Sequence, residues 1–163
     1  MDKFIGIWYN KENFTQRGSF MNVTVIDGQG GQLGAQLVRE IHTQLPALSL
    51  TAVGTNAAAT AAMLKAGAAQ AATGENPVIV ACRRADVIIG PIGIVIADAM
   101  LGEVTPKMAI AVGSADAARI LIPMNKCDTQ IAGVPEQTTS TLIDDVLRRL
   151  NVIAARQTSQ ETY

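Results

Sequence analysis

Four glycines lie within seven residues and have the spacing of an anion-binding turn. They are Gly28, Gly30, Gly31 and Gly34, and Asp27 directly precedes them. A glycine-rich turn between a strand and a helix exposes backbone N–H groups at the helix N-terminus, where they bind phosphate or carboxylate groups. The stretch misses the strict G-x-G-x-x-G pattern because Leu33 stands at its last position, but positions 28, 31 and 34 fit G-x-x-G-x-x-G. We therefore predict a nucleotide-binding loop, with NAD or NADP as a candidate cofactor. The alternative is that the glycines only make a sharp turn.

Glycines and small polar residues also follow other predicted strands. They are Gly54, Thr55 and Asn56 after the second strand, Gly90, Pro91 and Gly93 after the fourth, and Asn125 and Lys126 after the fifth. Because open parallel sheets bind ligands beyond the carboxyl ends of their strands, we expect these residues to line one cleft with Asp27 and the glycine-rich loop. The alternative is that turns between strands and helices simply need glycines and helix caps.

The end of the second strand lacks the acid that NAD-binding sheets usually have there. Thr55 and Asn56 occupy the place where an Asp or Glu would hold the ribose hydroxyls. Either a cofactor is held there through neutral hydrogen bonds, or the ligand is not a dinucleotide. Asn56 is also a suitable N-cap for the Ala-rich helix that follows, and the two roles are compatible.

Residues suited to catalysis are few, so no catalytic residue is assigned. His42 is the only histidine, and the G-x-S-x-G pattern of a nucleophile elbow is absent. Asp27 could act as a general base, bind a ligand hydroxyl, or only bond the N–H groups of the loop. Lys126 beside Cys127 could activate the thiol, although most cysteines are structural. The segment Asn125–Asp128 matches the guanine-binding N-K-x-D of GTPases, but the phosphate-binding G-x-x-x-x-G-K-[ST] is missing, so GTPase activity is not predicted.

The composition is that of an ordinary globular domain. Its 163 residues are enough for one hydrophobic core, and a net charge of −1 excludes a basic surface for nucleic acid. Cys82 and Cys127 are the only cysteines, which predicts neither a metal site nor a disulfide framework and favours the cytoplasm. No segment is apolar enough to span a membrane. We expect a nucleotide-like small-molecule ligand and no nucleic-acid or membrane partner; a homo-oligomer is compatible with the sequence.

The first twenty residues differ from the rest in composition. All aromatic residues except Tyr163 fall within residues 1–20. Met21 stands just before the first predicted strand, so residues 1–20 are either the product of a misassigned start codon or a genuine N-terminal arm. We predict a single domain over residues 21–156 and a disordered tail over residues 157–163.

Strands and helices alternate from residue 21 onward. Strands are predicted near residues 23–26, 48–53, 68–72, 86–90, 119–123 and 129–134. Helices are predicted near residues 33–45, 57–65, 77–85, 94–101, 106–113 and 141–156, with Asn76 as the N-cap and Pro77 as the first residue of the third. This alternation predicts a three-layer, Rossmann-like α/β domain with a mostly parallel, doubly wound sheet.

Seven segments resemble an uncharacterised bacterial family of small Rossmann-like proteins, a domain of unknown function. They are V-I-D-G-Q-G-G (Val25–Gly31), A-V-G-T-N (Ala52–Asn56), M-L-K-A-G-A (Met63–Ala68), A-T-G-E-N (Ala72–Asn76), I-I-G-P-I-G-I (Ile88–Ile94), I-P-M-N-K-C (Ile122–Cys127) and I-A-G-V (Ile131–Val134). The resemblance extends from about Met21 to about Leu150. It implies a Rossmann-like fold and no particular activity.

Two functional hypotheses follow. The leading one is a nucleotide- or dinucleotide-binding protein that uses the loop from Gly28 to Gly34, with a small oxidoreductase as one activity. The competing one is a non-catalytic ligand-sensing or partner-binding module with a degenerate loop, which the shortage of acid–base residues favours. Under the first hypothesis, a branched side chain at Gly30 or Gly31 is expected to abolish ligand binding in a protein that still folds.

Overall fold

In the part of the chain that the structure describes, five strands form one parallel sheet. The structure is a computed structural model, and it describes residues 21–124 and 129–160. The strands are β1 (Asn22–Asp27), β2 (Ser49–Gly54), β3 (Gln70–Thr73), β4 (Val87–Pro91) and β5 (Ala118–Ile122). Their order is β3-β2-β1-β4-β5, and every neighbouring pair is parallel. The strand order reverses between β1 and β4, and the crevice at such a reversal is where open parallel sheets bind ligands.

Helices cover both faces of the sheet. They are α1 (Gln32–Gln44), α2 (Ala57–Lys65), α3 (Glu75–Cys82), α4 (Pro106–Gly113) and α5 (Thr139–Gln160). Val23 and Val25 of β1 belong to a buried cluster with α1, α5 and Met63 of α2. Ile26 of β1 belongs to a second buried cluster with α3 and α4. Because neighbouring side chains of a strand point to opposite faces, these two clusters lie on either side of the sheet. The predicted three-layer, Rossmann-like α/β fold is confirmed.

Local signals place several helix ends correctly. Asn56 is the N-cap of α2, and its side-chain oxygen accepts a hydrogen bond from the Ala59 N–H at 2.9 Å. Thr105 caps α4 in the same way, with Pro106 at the first helical position. A proline there sacrifices no hydrogen bond, because the first N–H groups of a helix have no partner within the helix.

The start of α3 differs from the prediction. The helix begins at Glu75 with Gly74 before it, so the assignment of Asn76 as N-cap and Pro77 as first residue is wrong. Gly74 has a left-handed φ of 105°, and its N–H donates to the carbonyl of Gly54 at 2.9 Å. This bond ties the turn after β3 to the end of β2, and the helix starts two residues earlier than predicted. Pro77 remains within the first turn, where its missing N–H costs little.

The apolar segment after β4 is not the predicted helix. A 3-10 turn covers Ile92–Val95, and a series of hydrogen-bonded turns follows over residues 96–104, here named the 96–104 turn. Three non-glycine residues in it have left-handed φ angles: Asp98, Met100 and Leu101, at 62°, 57° and 59°. Ile94 and Val104 are each 1% exposed in the cluster beneath α3 and α4. The apolar residues thus anchor the two ends of a turn, and they do not form one face of a helix.

The predicted sixth strand is also absent from the described residues. Ile131 and Val134 are 36% and 43% exposed, and the Val134 N–H bonds back to the Ile131 carbonyl at 3.3 Å. This segment forms a turn, and its apolar side chains are exposed.

The last helix, α5, continues through Gln160 and so includes the first residues of the predicted tail, which starts at residue 157. Residues 1–20 and 161–163 lie outside the described residues, as do both interpretations of the N-terminal segment. Within the described ranges, no helix combines the length and apolar character needed to cross a membrane.

Candidate functional site

Asp27 organises the glycine-rich loop between β1 and α1. Its Oδ1 accepts the Gly28 N–H at 2.8 Å, and its Oδ2 accepts the Gly34 N–H at 2.7 Å. The side chain is buried, and this burial raises the pKa of Asp27. The two backbone hydrogen bonds lower that pKa and the nearby charge of Glu103 raises it, so that the net pKa lies above its ordinary value. Of the roles considered for Asp27, these contacts support the ordering of the loop, because each carboxylate oxygen already holds a loop N–H.

Three of the four glycines serve close packing inside the protein. A Cβ on Gly34 would lie 2.6 Å from the Met63 sulfur, and a Cβ on Gly28 would lie within 2.9 Å of three side-chain atoms. A Cβ on Gly31 would lie 2.6 Å from Cα of Ala59 in α2, and Gly31 has a left-handed φ of 66°. Gly31 therefore faces α2. This corrects the expectation that a branched side chain at Gly31 would leave the fold intact.

Gly30 has different surroundings, because it borders open space. No heavy atom lies within 4 Å of the position that its Cβ would take, and its φ is outside the left-handed range. The N–H groups of Gly30, Gln32 and Leu33 have no acceptor among the described residues. The N-cap residue Gly31 has no side chain, and Asp27 accepts only the Gly34 N–H of the first turn of α1. Unpaired N–H groups at the positive end of a helix dipole form a position that can accept an anion.

Glu103 joins this site, although the sequence analysis did not single it out. Its Oε2 accepts hydrogen bonds from the Gln29 N–H at 2.8 Å, from Thr55 Oγ1 at 2.6 Å and from Asn56 Nδ2 at 2.9 Å. The 96–104 turn carries Glu103 from the end of β4, past β1, to the end of β2. The acid that the sequence lacks after β2 is thus supplied by a different loop. The absence of an acid after β2 was the signal that could have pointed to Glu103. Asp98 lies in the same segment, however, and the sequence spacing does not show which of these two acids reaches the end of β2.

Thr55 and Asn56 link the end of β2 to the glycine-rich loop. The Thr55 N–H donates to the Asp27 carbonyl at 3.0 Å. The Asn56 side chain caps α2 with its oxygen and donates from Nδ2 to the Gln29 carbonyl at 2.9 Å as well as to Glu103. The predicted capping role is therefore confirmed, and the same side chain also contacts the loop.

Four other predicted site residues lie at the carboxyl ends of β2 and β4 or directly after β4. They are Gly54, Gly90, Pro91 and Gly93, and all are buried. A Cβ on Gly90 would meet the Ile26 carbonyl oxygen of the neighbouring strand, and one on Gly54 would meet the Thr60 side chain. Gly54 and Gly90 are therefore closely packed, and whether any of these four residues contacts a ligand stays a prediction. Asn125 and Lys126 lie outside the described residues, so their place in the cleft stays a prediction.

Other features of the described residues contribute no groups to this site. No cluster of three His, Cys, Asp or Glu side chains that could hold a metal ion occurs in the part of the chain that the structure describes. Burial raises the pKa of the Cys82 thiol to about 11, so this cysteine is protonated at neutral pH. A groove of about 500 Å³ lies between α3 and α4 and is lined by none of the predicted site residues.

The contribution of Glu103 to stability is expected to depend on pH. Burial raises the pKa of Glu103, but the hydrogen bonds from Thr55, Gln29 and Asn56 lower it, and the net pKa lies below the ordinary value of 4.5. A lowered pKa adds stability above the unfolded-state value, and this stability is lost as the pH falls through the folded-state pKa. We expect Glu103→Gln to be less stable than the parent at pH 7, by about 1 kcal/mol. The difference should shrink as the pH falls below 4.5 in a series of urea denaturation curves. A difference that grows on acidification would contradict this assignment.

Comparison with known proteins identifies a family. Searches of curated proteins and of solved structures found no match to this chain. A family model described as a domain of unknown function (DUF3842) matches residues 22–155. The match includes the glycine-rich loop, the end of β2 and the 96–104 turn, and it covers most of the chain. The chain therefore belongs to the DUF3842 family, a domain of unknown function.

Proposed function

We propose that this protein binds a nucleotide or dinucleotide through its glycine-rich loop. The observation that carries the proposal is the open position at Gly30, where the N–H groups of Gly30, Gln32 and Leu33 have no acceptor among the described residues. This position follows the carboxyl end of β1, beside the reversal of strand order between β1 and β4. A ligand phosphate there would accept hydrogen bonds from these N–H groups and would meet the positive end of the α1 dipole.

The proposal has two forms that differ in chemistry. In the first, the ligand is NAD or NADP and the protein is a small oxidoreductase. In the second, the protein senses a nucleotide without transforming it. The contacts of Asp27 favour the second form. Each of its carboxylate oxygens already accepts a hydrogen bond from a loop N–H, so neither oxygen is free to exchange a proton with a ligand. Binding of NADH without turnover across a series of small carbonyl compounds would support sensing.

A thermal-shift screen of the full chain tests binding directly. The ligands are NAD, NADP, ATP, GTP, FAD and coenzyme A. A ligand present at about one hundred times its Kd stabilises the folded state by about 2.7 kcal/mol. For a domain of this size, that corresponds to a rise in Tm of roughly 5 to 10 °C. An unchanged Tm with every one of these nucleotides would refute the proposal.

Gly30→Val is expected to weaken nucleotide binding at least tenfold without a large loss of stability. The branched side chain would fill the open position at the N–H groups, while no protein atom lies within 4 Å of the new Cβ. The measurement is the Kd by titration calorimetry, together with the Tm of the free protein.

Gly113→Val is the matched control for this variant. Gly113 also borders open space and has a φ outside the left-handed range. It ends α4, and because helices of a doubly wound sheet run antiparallel to its strands, it lies at the edge opposite the loop. We expect this variant to bind like the parent. Equal affinity for Gly30→Val and the parent would mean that the anion binds elsewhere.

A further inference from the structure

We propose that Glu103 binds the ribose hydroxyls of the nucleotide and makes the protein prefer ligands without a 2′-phosphate. This inference rests on the proposed function and adds the class of nucleotide that the site selects. The carboxylate would act as the hydroxyl-binding acid that the sequence lacks at the end of β2.

The hydrogen bonds of Glu103 leave one oxygen available to a ligand. All three donors, from Gln29, Thr55 and Asn56, bind Oε2 at 2.6 to 2.9 Å. Among the described residues, Oε1 accepts no hydrogen bond, and the side chain is partly exposed. A carboxylate anchored through one oxygen is held in a defined orientation and offers the other oxygen to a hydroxyl donor.

The Glu103 carboxylate lies where dinucleotide-binding sheets have the acid that binds the ribose. In dinucleotide-binding sheets, the acid at the end of the second strand holds the ribose hydroxyls beside the glycine-rich turn. Here Thr55 and Asn56 follow β2 and both donate to Glu103, and a Cβ on Gly28 would lie 2.9 Å from its Oε2. The glycine turn and the acid are thus adjacent, although the acid comes from the loop after β4.

The carboxylate and the open N–H groups are separate features of the loop. Glu103 uses the Gln29 N–H, whereas the N–H groups of Gly30, Gln32 and Leu33 have no acceptor among the described residues. Binding of a sugar at Glu103 would therefore not compete with a phosphate at Gly30 for the same N–H groups. A ligand that uses both features needs both groups on neighbouring parts of one molecule, as a nucleotide has.

The charge of Glu103 determines which sugar is accepted. The ion pairs in the described ranges involve Glu75 and Asp145, and none brings a lysine or arginine to Glu103. A 2′-phosphate would therefore face a negative carboxylate with no described cation to offset it, and like charges at close range repel. A 2′-deoxy sugar would lack one of the hydroxyl donors. The site should discriminate against both modifications.

Titration calorimetry on the full chain tests the inference with two matched pairs of ligands, NAD with NADP and ADP with 2′-deoxy-ADP. We expect the parent to bind NAD and ADP about tenfold more tightly than their partners, which is the effect of about one hydrogen bond to a charged group. Glu103→Gln keeps the length and an oxygen for the three donors but removes the charge. It should reduce both preferences to within about threefold. Glu40→Gln, which makes the same change on α1 at a residue bonded to Gln44, should keep the preferences of the parent.

Each alternative outcome has a distinct meaning. If Glu103→Gln binds all four ligands more tightly than the parent, the carboxylate occupies the place of a ligand anion and the inference is wrong. If the parent binds without either preference and Gly30→Val still abolishes binding, nucleotide binding stands and the role of Glu103 fails alone. If the parent binds none of these four ligands but its Tm rises with ATP, GTP, FAD or coenzyme A, the inference about Glu103 is wrong and nucleotide binding stands. If it also fails to respond to those ligands, both proposals are overturned.

Discussion

Asp27→Asn is expected to lower the free energy of unfolding by about 2 to 4 kcal/mol at pH 7. In the parent, Oδ1 and Oδ2 each accept a backbone N–H, at 2.8 and 2.7 Å, on a side chain that is 5% exposed. Asparagine has one oxygen and an NH2 group, so one of these N–H groups would face a second donor. A buried donor without an acceptor costs about 1 to 3 kcal/mol, and loss of the charge weakens the remaining bond. Urea denaturation measures the change.

Asp98→Asn is the control for this substitution. Asp98 is exposed in the 96–104 turn, and asparagine tolerates its left-handed φ of 62°. We expect the control to change stability by less than about 0.5 kcal/mol. Equal stability of Asp27→Asn and Asp98→Asn would show that Asp27 does not hold the loop.

The pH dependence of Asp27→Asn should be opposite to that of Glu103→Gln. Burial raises the pKa of Asp27 above its ordinary value of 3.8, so the folded protein binds a proton more readily than the unfolded chain. The resulting stability is present below the unfolded-state pKa and is lost as the pH rises through the folded-state pKa. The gap between the parent and Asp27→Asn should therefore widen on acidification. A gap that narrows would mean that the hydrogen bonds from Gly34 and Gly28 outweigh burial.

Much of the fold could be predicted because its signals are local. The apolar run of β1 followed by glycines, the cap at Asn56 and the Thr105–Pro106 pair each act within a few residues of the element they define. The 96–104 turn shows where such signals fail. Its apolar residues suit a helix, but burial of Ile94 and Val104 in one cluster holds the ends of the segment and leaves turns between them.

The sequence shows which residue types lie near the candidate site, but it does not show which contacts each of them makes. Glu103 was missed because its donors at Gln29, Thr55 and Asn56 lie 74, 48 and 47 residues away in the chain. Only the path of the turn after β4 brings them together. Similarly, a glycine pattern does not show which glycine faces a ligand and which faces another helix. That distinction depends on where α2 packs, which the loop residues themselves do not encode.

Gly31→Ala is expected to lower the free energy of unfolding by about 3 kcal/mol, whereas Gly30→Ala should change it by less than about 1 kcal/mol. Gly31 has a left-handed φ of 66°, which costs an L-residue about 1 to 2 kcal/mol. Its new methyl group would also lie 2.6 Å from Cα of Ala59, and backbone atoms cannot move aside as a flexible side chain can. At Gly30, no heavy atom lies within 4 Å of the added carbon.

Urea denaturation of these two alanine variants separates the packing role of the loop from its binding role. If both variants are as stable as the parent, α1 and α2 do not meet closely at Gly31, and the loop has a different conformation. If Gly31→Ala alone is destabilised, its ligand affinity will reflect a damaged fold as well as a blocked site. In that case only substitutions at Gly30 report on the anion position, because that glycine alone among the four can accept a side chain without displacing other parts of the described structure.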